Sequence, residues 1–207
     1  VAKTMTSLVI GQLIDEGTLK ESDTFVSILP EFKAGTSFDK VTIKDLLDMN
    51  SGIGVSDNYP SGPSGWGVAI AQMYATTDMN FFLNNNRKMR EEPGTFPEYR
   101  SVNTQILGLI IQKVTGNKLA DEFSDRVWKR VRADYDATWN VDKVSGHEKA
   151  FCCFNATARD YARVGQAIMS GAPDIASPSW TVRLSTPVVT LDYGWGYGAQ
   201  MWHPYPG

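Results

Sequence analysis

The sequence predicts an α/β (α+β) chain that is mostly helical, with its strands gathered toward the C-terminal end. Three observations carry this. Apolar residues recur at helical spacing in several stretches, most strongly near 102–114. Capping residues open those stretches and glycines close them. Strand signals stay thin until residues 188–191 and 193–202, which are aromatic and broken by glycine.

The first helix carries Met5, Leu8, Val9 and Leu13 at helical spacing and stops at Gly17. Thr42-Ile43-Lys44-Asp45 reads as a capping box opening a short helix with Leu46, Leu47 and Met49, ended by Ser51-Gly52. Residues 54–67 form a long loop, a length that is often functional inside a compact domain. Helical stretches follow near 68–76 and 78–90, and Glu91-Glu92-Pro93-Gly94 breaks the pattern. The helix near 102–114 places Ile106, Leu109, Ile110 and Val114 on one face, with Gly116 as its stop. Another, near 118–131, carries Phe123, Val127 and Trp128. Residues 151–154 are a candidate strand. A helix over 155–170 is opened by Thr157-Ala158-Arg159-Asp160 and closed by Gly171.

With 207 residues, 42% hydrophobic and 21% charged, the chain is a globular protein of one ordinary domain or two small ones. A net charge of −3 gives no reason to expect a nucleic acid or an anionic membrane as partner. Lys129, Arg130 and Arg132 read as a solvated helix end. No apolar run is long enough to span a bilayer, and the start is not a signal peptide; a leader or anchor upstream of Val1 stays open. Cys152 and Cys153 are adjacent, and neighbouring cysteines seldom bond each other, so they are expected to be buried, small and unpaired. Neither His-Glu-x-x-His nor Cys-x-x-Cys occurs, so no metal and no cofactor is expected. Gly62-Pro63-Ser64-Gly65-Trp66 approaches a Gly-x-Ser-x-Gly elbow and fails at its last position. His147 and His203 sit beside turn residues and read as surface loop histidines.

Two segments hold candidate chemistry. Lys3 falls in the first turn of a helix, where the macrodipole disfavours a cation. A serine just before Val1 would complete Ser-x-x-Lys, a nucleophile–base pair. Taken alone, Lys3 reads more plainly as a solvated lysine. Residues 93–101 form a turn that presents Tyr99 and Ser101 directly before a buried helix, and a loop on a rigid support is a common way to aim a catalytic group. Taken alone, Tyr99 reads as a packed tyrosine with a hydrogen-bonded hydroxyl.

Several dispersed segments, in order, resemble the β-lactamase-related serine hydrolases, a family of class C β-lactamases, DD-peptidases, esterases and 6-aminohexanoate-dimer hydrolases. Val1-Ala2-Lys3-Thr4 looks like the family's Ser-x-x-Lys without its serine. Residues 44–52 look like its helix ending in Leu-Leu-x-x-x-Ser-Gly. Tyr99-Arg100-Ser101 falls where the family carries Tyr-x-Asn, with Leu107-Gly108 in the next helix. Residues 155–165 look like its later Arg-Asp-x-Ala-x-x-Gly helix.

The resemblance implies an antiparallel sheet flanked by helices plus a helical subdomain. Residues 1–207 would be part of that domain, lacking N- and C-terminal strands, and such a piece is expected to be inactive and poorly folded alone. It implies a small ester or amide substrate, Lys3 as base, Tyr99 as proton relay to the leaving group, and Ser101 and Tyr59 in contact with substrate. Ser101 in place of asparagine favours the esterase and amino-acid-oligomer branch over β-lactamases and DD-peptidases. The family's Lys/His-x-Gly-like strand has no match before Gly207. A catalytically dead binding or sensor homologue is the rival from another class, and the cell envelope is slightly favoured as location.

Overall fold

A computed structural model describes residues 1–58, 68–191 and 194–204. Its centre is a long helix, α6 (Ser101–Thr115), on which α1 (Ala2–Asp15), α2 (Phe25–Ile28), α3 (Ile43–Leu47) and α7 (Leu119–Phe123) all pack. The sequence predicts one apolar face on α6. Instead its first eleven residues, Ser101 to Ile111, are buried on every side. Their polar members are paired: Gln105 donates to the Glu148 carbonyl at 3.0 Å and accepts from the Ala150 amide at 3.1 Å. Gly116 closes the helix as expected.

The remaining helices frame this core. The Thr42/Asp45 capping box that opens α3 is present in full. The segment 78–90 is helical only as α5 (Met79–Asn85), after α4 (Ala69–Ala75); beyond Asn85 the chain leaves the helix and Met89 bridges Ile53. The stretch 118–131 is α7 running into a turn of π-helix, Ser124–Trp128. Thr157 caps α8 (Ala158–Met169) through the Asp160 amide. The sequence reading missed α9 (Pro178–Ser185), whose cap is Ser177 and whose first residue is proline.

The strands are short. The expected strand at 151–154 is displaced: β2 (Phe154–Asn155) pairs antiparallel with β1 (Thr138–Trp139). A second, three-stranded antiparallel sheet follows the sequence expectation, with order β3 (Val189–Thr190), β4 (Gly196–Gly198), β5 (Met201–His203). A two-residue turn joins β4 to β5, and both residues, Ala199 (φ 49°) and Gln200 (φ 65°), are left-handed. Strain there is offset by bonds into the helical core. The Gln200 side chain donates to the carbonyls of Leu46 (2.8 Å) and Leu47 (3.1 Å), and its backbone carbonyl accepts from Thr4 at 3.0 Å. Ser7 donates to the Ala199 carbonyl at 2.6 Å. The sheet is thereby registered against α1, the helix that carries Lys3.

Contact between α1 and α9 depends on one missing side chain. A Cβ on Gly11 would sit 2.3–2.4 Å from the Trp180 indole. Gly11→Ala should therefore lower stability by about 1–3 kcal/mol through overpacking, although alanine is the better helix former. Urea denaturation checks this, and an unchanged midpoint would show that the two helices separate freely.

Two further expectations fail. Cys152 and Cys153 are half-buried and joined as a vicinal disulfide, accommodated by a left-handed Cys153 (φ 61°). The histidines are not simple surface residues. His147 is half-buried against Gln112 at 2.6 Å, and burial pushes its pKa down. Among the described residues, His203 Nε2 is buried without a hydrogen-bond partner. Lys129 does behave as a solvated helix-end cation, paired with Asp125. Among the described residues no helix is long and apolar enough to cross a membrane, and no cluster of three or more His, Cys, Asp or Glu could hold a metal.

Candidate active site

Lys3 is not a solvated lysine. Its side chain is 7% exposed, in the first turn of α1. Its Nζ donates to Ser101 Oγ at 3.0 Å and to the Phe151 carbonyl at 2.9 Å, and lies 4.7 Å from the centroid of the Tyr99 ring. Residues 98 and 148 positions away in sequence thus converge on one nitrogen. Burial pushes the Lys3 pKa down to about 8, against an opposing pull upward from Asp57.

Each partner is held by its own framework. Met49 adopts a left-handed φ of 57°, accepts the Glu98 amide at its carbonyl (2.9 Å) and meets the Arg100 amide with its sulfur (3.4 Å). Gly52, also left-handed, lies so close to the 91–92 backbone that a Cβ would stand 2.2 Å from the Glu91 carbonyl oxygen. Ser51 donates to Asn103 on α6 at 2.6 Å. The Ser51-Gly52 motif is therefore a clamp that fixes the approach to α6, and Tyr99 rides on that approach. The Phe151 carbonyl is fixed from both sides. Thr6 donates to the Ala150 carbonyl (3.2 Å), and Trp139 donates to the carbonyls of Lys149 (3.0 Å) and Cys152 (2.9 Å).

Tyr99 is half-buried. It stacks on Trp202 of β5 (centroids 5.2 Å, 27°) and meets Tyr197 of β4 edge-on (5.9 Å, 86°). Burial, with the Asp57 charge, pushes its pKa up to about 12. The two candidate bases are thus separated. Near pH 7 roughly one Lys3 side chain in ten is neutral, whereas only about one Tyr99 in 10⁵ is ionised. Near neutrality Lys3 is therefore mostly an ammonium with an accessible neutral fraction, and Tyr99 is protonated.

Three residues that the sequence reading did not single out complete the site. Asp57 accepts the Ser101 amide (2.7 Å) and hydroxyl (2.6 Å). Phe151 supplies only its carbonyl, which no side-chain pattern encodes. Arg100, 1% exposed between Tyr99 and Ser101, is anchored to Glu91 (2.6 Å), Glu98 (2.8 Å) and the Ile53 carbonyl (2.6 Å). Of the four expected site residues the structure brings together Lys3, Tyr99 and Ser101; Tyr59 lies outside the described residues. A separate cleft of about 310 Å³ bounded by Phe32, Leu109, Gln112, Lys118 and His147 shares none of these residues.

Comparison with known proteins gives the family and the fold. The family model described as Beta-lactamase matches residues 1–206. The 6-aminohexanoate-dimer hydrolase of Paenarthrobacter ureafaciens is 31% identical over 194 residues, covering 87% of this chain and 48% of that protein. Protein flp of Staphylococcus aureus (strain MW2) is 29% identical over 154 residues, covering 70% of this chain and 28% of that protein. The chain therefore spans about half the length of the first and a quarter of the second. Among solved structures, a candidate 6-aminohexanoate-dimer hydrolase from Bacillus anthracis superposes with a TM-score of 0.83 at 25% identity, over 99% of this chain and 57% of that one. An octameric penicillin-binding protein homologue from Pyrococcus abyssi does so with a TM-score of 0.77 at 19% identity, over 96% and 51%; at that identity the likeness is one of fold. The architecture is the β-lactamase/transpeptidase-like one, and the chain belongs to the Beta-lactamase family.

Proposed function

We propose that the protein is a serine hydrolase that cleaves esters or amides through an acyl-enzyme, closest in kind to the esterase and 6-aminohexanoate-dimer hydrolase branch. The observation that carries this is Lys3: a buried lysine, its pKa brought down to about 8, held by two acceptors beside a protonated tyrosine. A merely structural lysine has no need of a neutral form. A general base working near neutral pH does.

The steps follow from these groups. The nucleophile is a serine one position before Val1, set by the Ser-x-x-Lys spacing. Neutral Lys3 accepts its hydroxyl proton as oxygen bonds to the substrate's carbonyl carbon, and backbone N–H groups hold the resulting oxyanion. The intermediate collapses to acyl-enzyme as the C–O or C–N bond breaks. Tyr99 donates its proton to the departing oxygen or nitrogen and recovers one from the Lys3 ammonium. Water then attacks the acyl-enzyme with the same groups in reverse roles. Tyr59 is proposed to contact the substrate.

Sequencing the codon before Val1 and assaying the full-length protein on p-nitrophenyl esters, a linear amide dimer and nitrocefin tests the reading. Turnover of the ester and the dimer, with a serine at that position, is the expected result. Nitrocefin as the sole substrate would move the protein to the penicillin-directed branch. Alanine or glycine there, with no turnover, would mark a binding homologue.

A further inference from the structure

We infer that Asp57 is a positioning residue that works through Ser101 to fix the direction of the hydrogen bond made by Lys3. The inference rests on the hydrolase reading above for its purpose, but its geometry stands by itself. Asp57 lies 44 residues from Ser101 in sequence, in the loop after α3, and takes both polar hydrogens that Ser101 has: the amide at Oδ1 (2.7 Å) and the hydroxyl at Oδ2 (2.6 Å). A serine hydroxyl owns one proton. With that proton committed to Asp57, Ser101 Oγ can only accept from Lys3 Nζ.

The consequence for Lys3 is directional. A neutral amine has two N–H bonds and one lone pair. One N–H goes to Ser101 Oγ and the other to the Phe151 carbonyl, which can accept but never donate. The lone pair is then left for an incoming hydroxyl proton. Were Ser101 free to rotate, its O–H could donate to the amine and occupy that lone pair, and the base would be silenced by its own neighbour. Asp57 prevents this without giving up or receiving a proton. Its negative charge also sits at the N-terminus of α6, where the helix dipole favours an anion, and it partly offsets the effect of burial on Lys3.

Among the described residues, the titratable groups that face Lys3 are few enough for a clean measurement. Ahead of α6 there is Tyr99, and from the loop after α3 there is Asp57. The 151–153 segment brings a carbonyl and two disulfide-bonded cysteines, which do not titrate.

The test is an NMR titration of the Lys3 side chain in the full-length protein, labelled at lysine and assigned by the signal lost in Lys3→Arg. Lys3 should titrate near 8. In Asp57→Asn the midpoint should fall by about one unit or more, because an opposite charge two bonds away is gone. Asp57→Glu should restore most of it. Ser101→Ala keeps the carboxylate but removes the link together with one of the two acceptors of Lys3 Nζ, so its midpoint should fall, though less than in Asp57→Asn. It serves as the independent variant should Asp57→Asn unfold. A Lys3 midpoint unchanged in either variant overturns the inference, since a purely structural cap on α6 would leave Lys3 alone. The titration needs no substrate. A shifted midpoint in a protein without turnover would sink the hydrolase reading and leave this one standing; turnover with an unmoved midpoint would do the opposite.

Discussion

In the full-length protein, Lys3→Ala should lower kcat/KM on an activated ester by about 10²–10⁴-fold while the fold survives. The magnitude is that of a general base. The structural cost is smaller than for most buried residues, because burial already disfavours the charged form. What the substitution leaves behind is a carbonyl at Phe151 and an oxygen at Ser101, each short of one donor. On the linear amide dimer, whose nitrogen must be protonated to leave, Tyr99→Phe should cost a similar factor, and the double variant little more than either alone, because both residues serve one proton path. In the unsubstituted protein kcat/KM should rise with pH through about 8 as Lys3 loses its proton, and Tyr99, pushed up to about 12, should leave no basic limb below that. Stopped-flow acylation with a p-nitrophenyl ester reads the Lys3 loss and the pH profile, and turnover of the amide dimer reads Tyr99→Phe and the double variant. Near-full activity in Lys3→Ala would remove lysine from the mechanism.

How far the sequence reveals this site depends on what each residue contributes. Lys3, Tyr99 and Ser101 are legible because a side chain of a particular type stands at a particular spacing beside a helix start. Asp57 is not legible, because its partner is 44 residues away and its loop reads only as polar. Phe151 acts through a backbone carbonyl, which carries no residue signature. The helix α6 shows the same limit. Its apolar period is plain, yet Asn103, Thr104 and Gln105 look like a solvent face and are buried because each finds a partner in a distant segment. The Cys152–Cys153 pair fails for a different reason. The rule that neighbours do not bond assumes ordinary backbone, and Cys153 is left-handed. The strands near 188–202 are legible because glycine and aromatic residues mark them, whereas β1 and β2 are two residues each, too short for any period.

The second large effect belongs to Arg100, the unspecified residue in the Tyr-x-Asn-like motif. Arg100→Met should destabilise the protein by about 3–5 kcal/mol. Methionine fills much of the space, so lost packing is not the main cost. The cost is Glu98, 9% exposed, which would keep its negative charge with its buried counter-ion gone. Arg90 reaches the same carboxylate at 3.3 Å, but its own side chain is 59% exposed and the contact is correspondingly screened. Burial alone raises the Glu98 pKa; the Ser56 hydroxyl and the Arg100 cation outweigh it and hold the group below its ordinary value of 4.5. The sign of the pH dependence follows. A depressed carboxylate pKa contributes stability that is present above the unfolded value and lost as pH falls through the folded one. The gap between Arg100→Met and the unsubstituted protein should therefore be widest near neutrality and narrow below about pH 4. Glu98→Gln in the same chain should recover part of the loss, since a neutral amide no longer needs a cation. Urea denaturation of the two single variants and the double closes the cycle. A cost below about 1 kcal/mol for Arg100→Met, or no recovery in the double, would mean that Tyr99 and Ser101 are held by the Ser51-Gly52 clamp alone and that the arginine between them is a passenger.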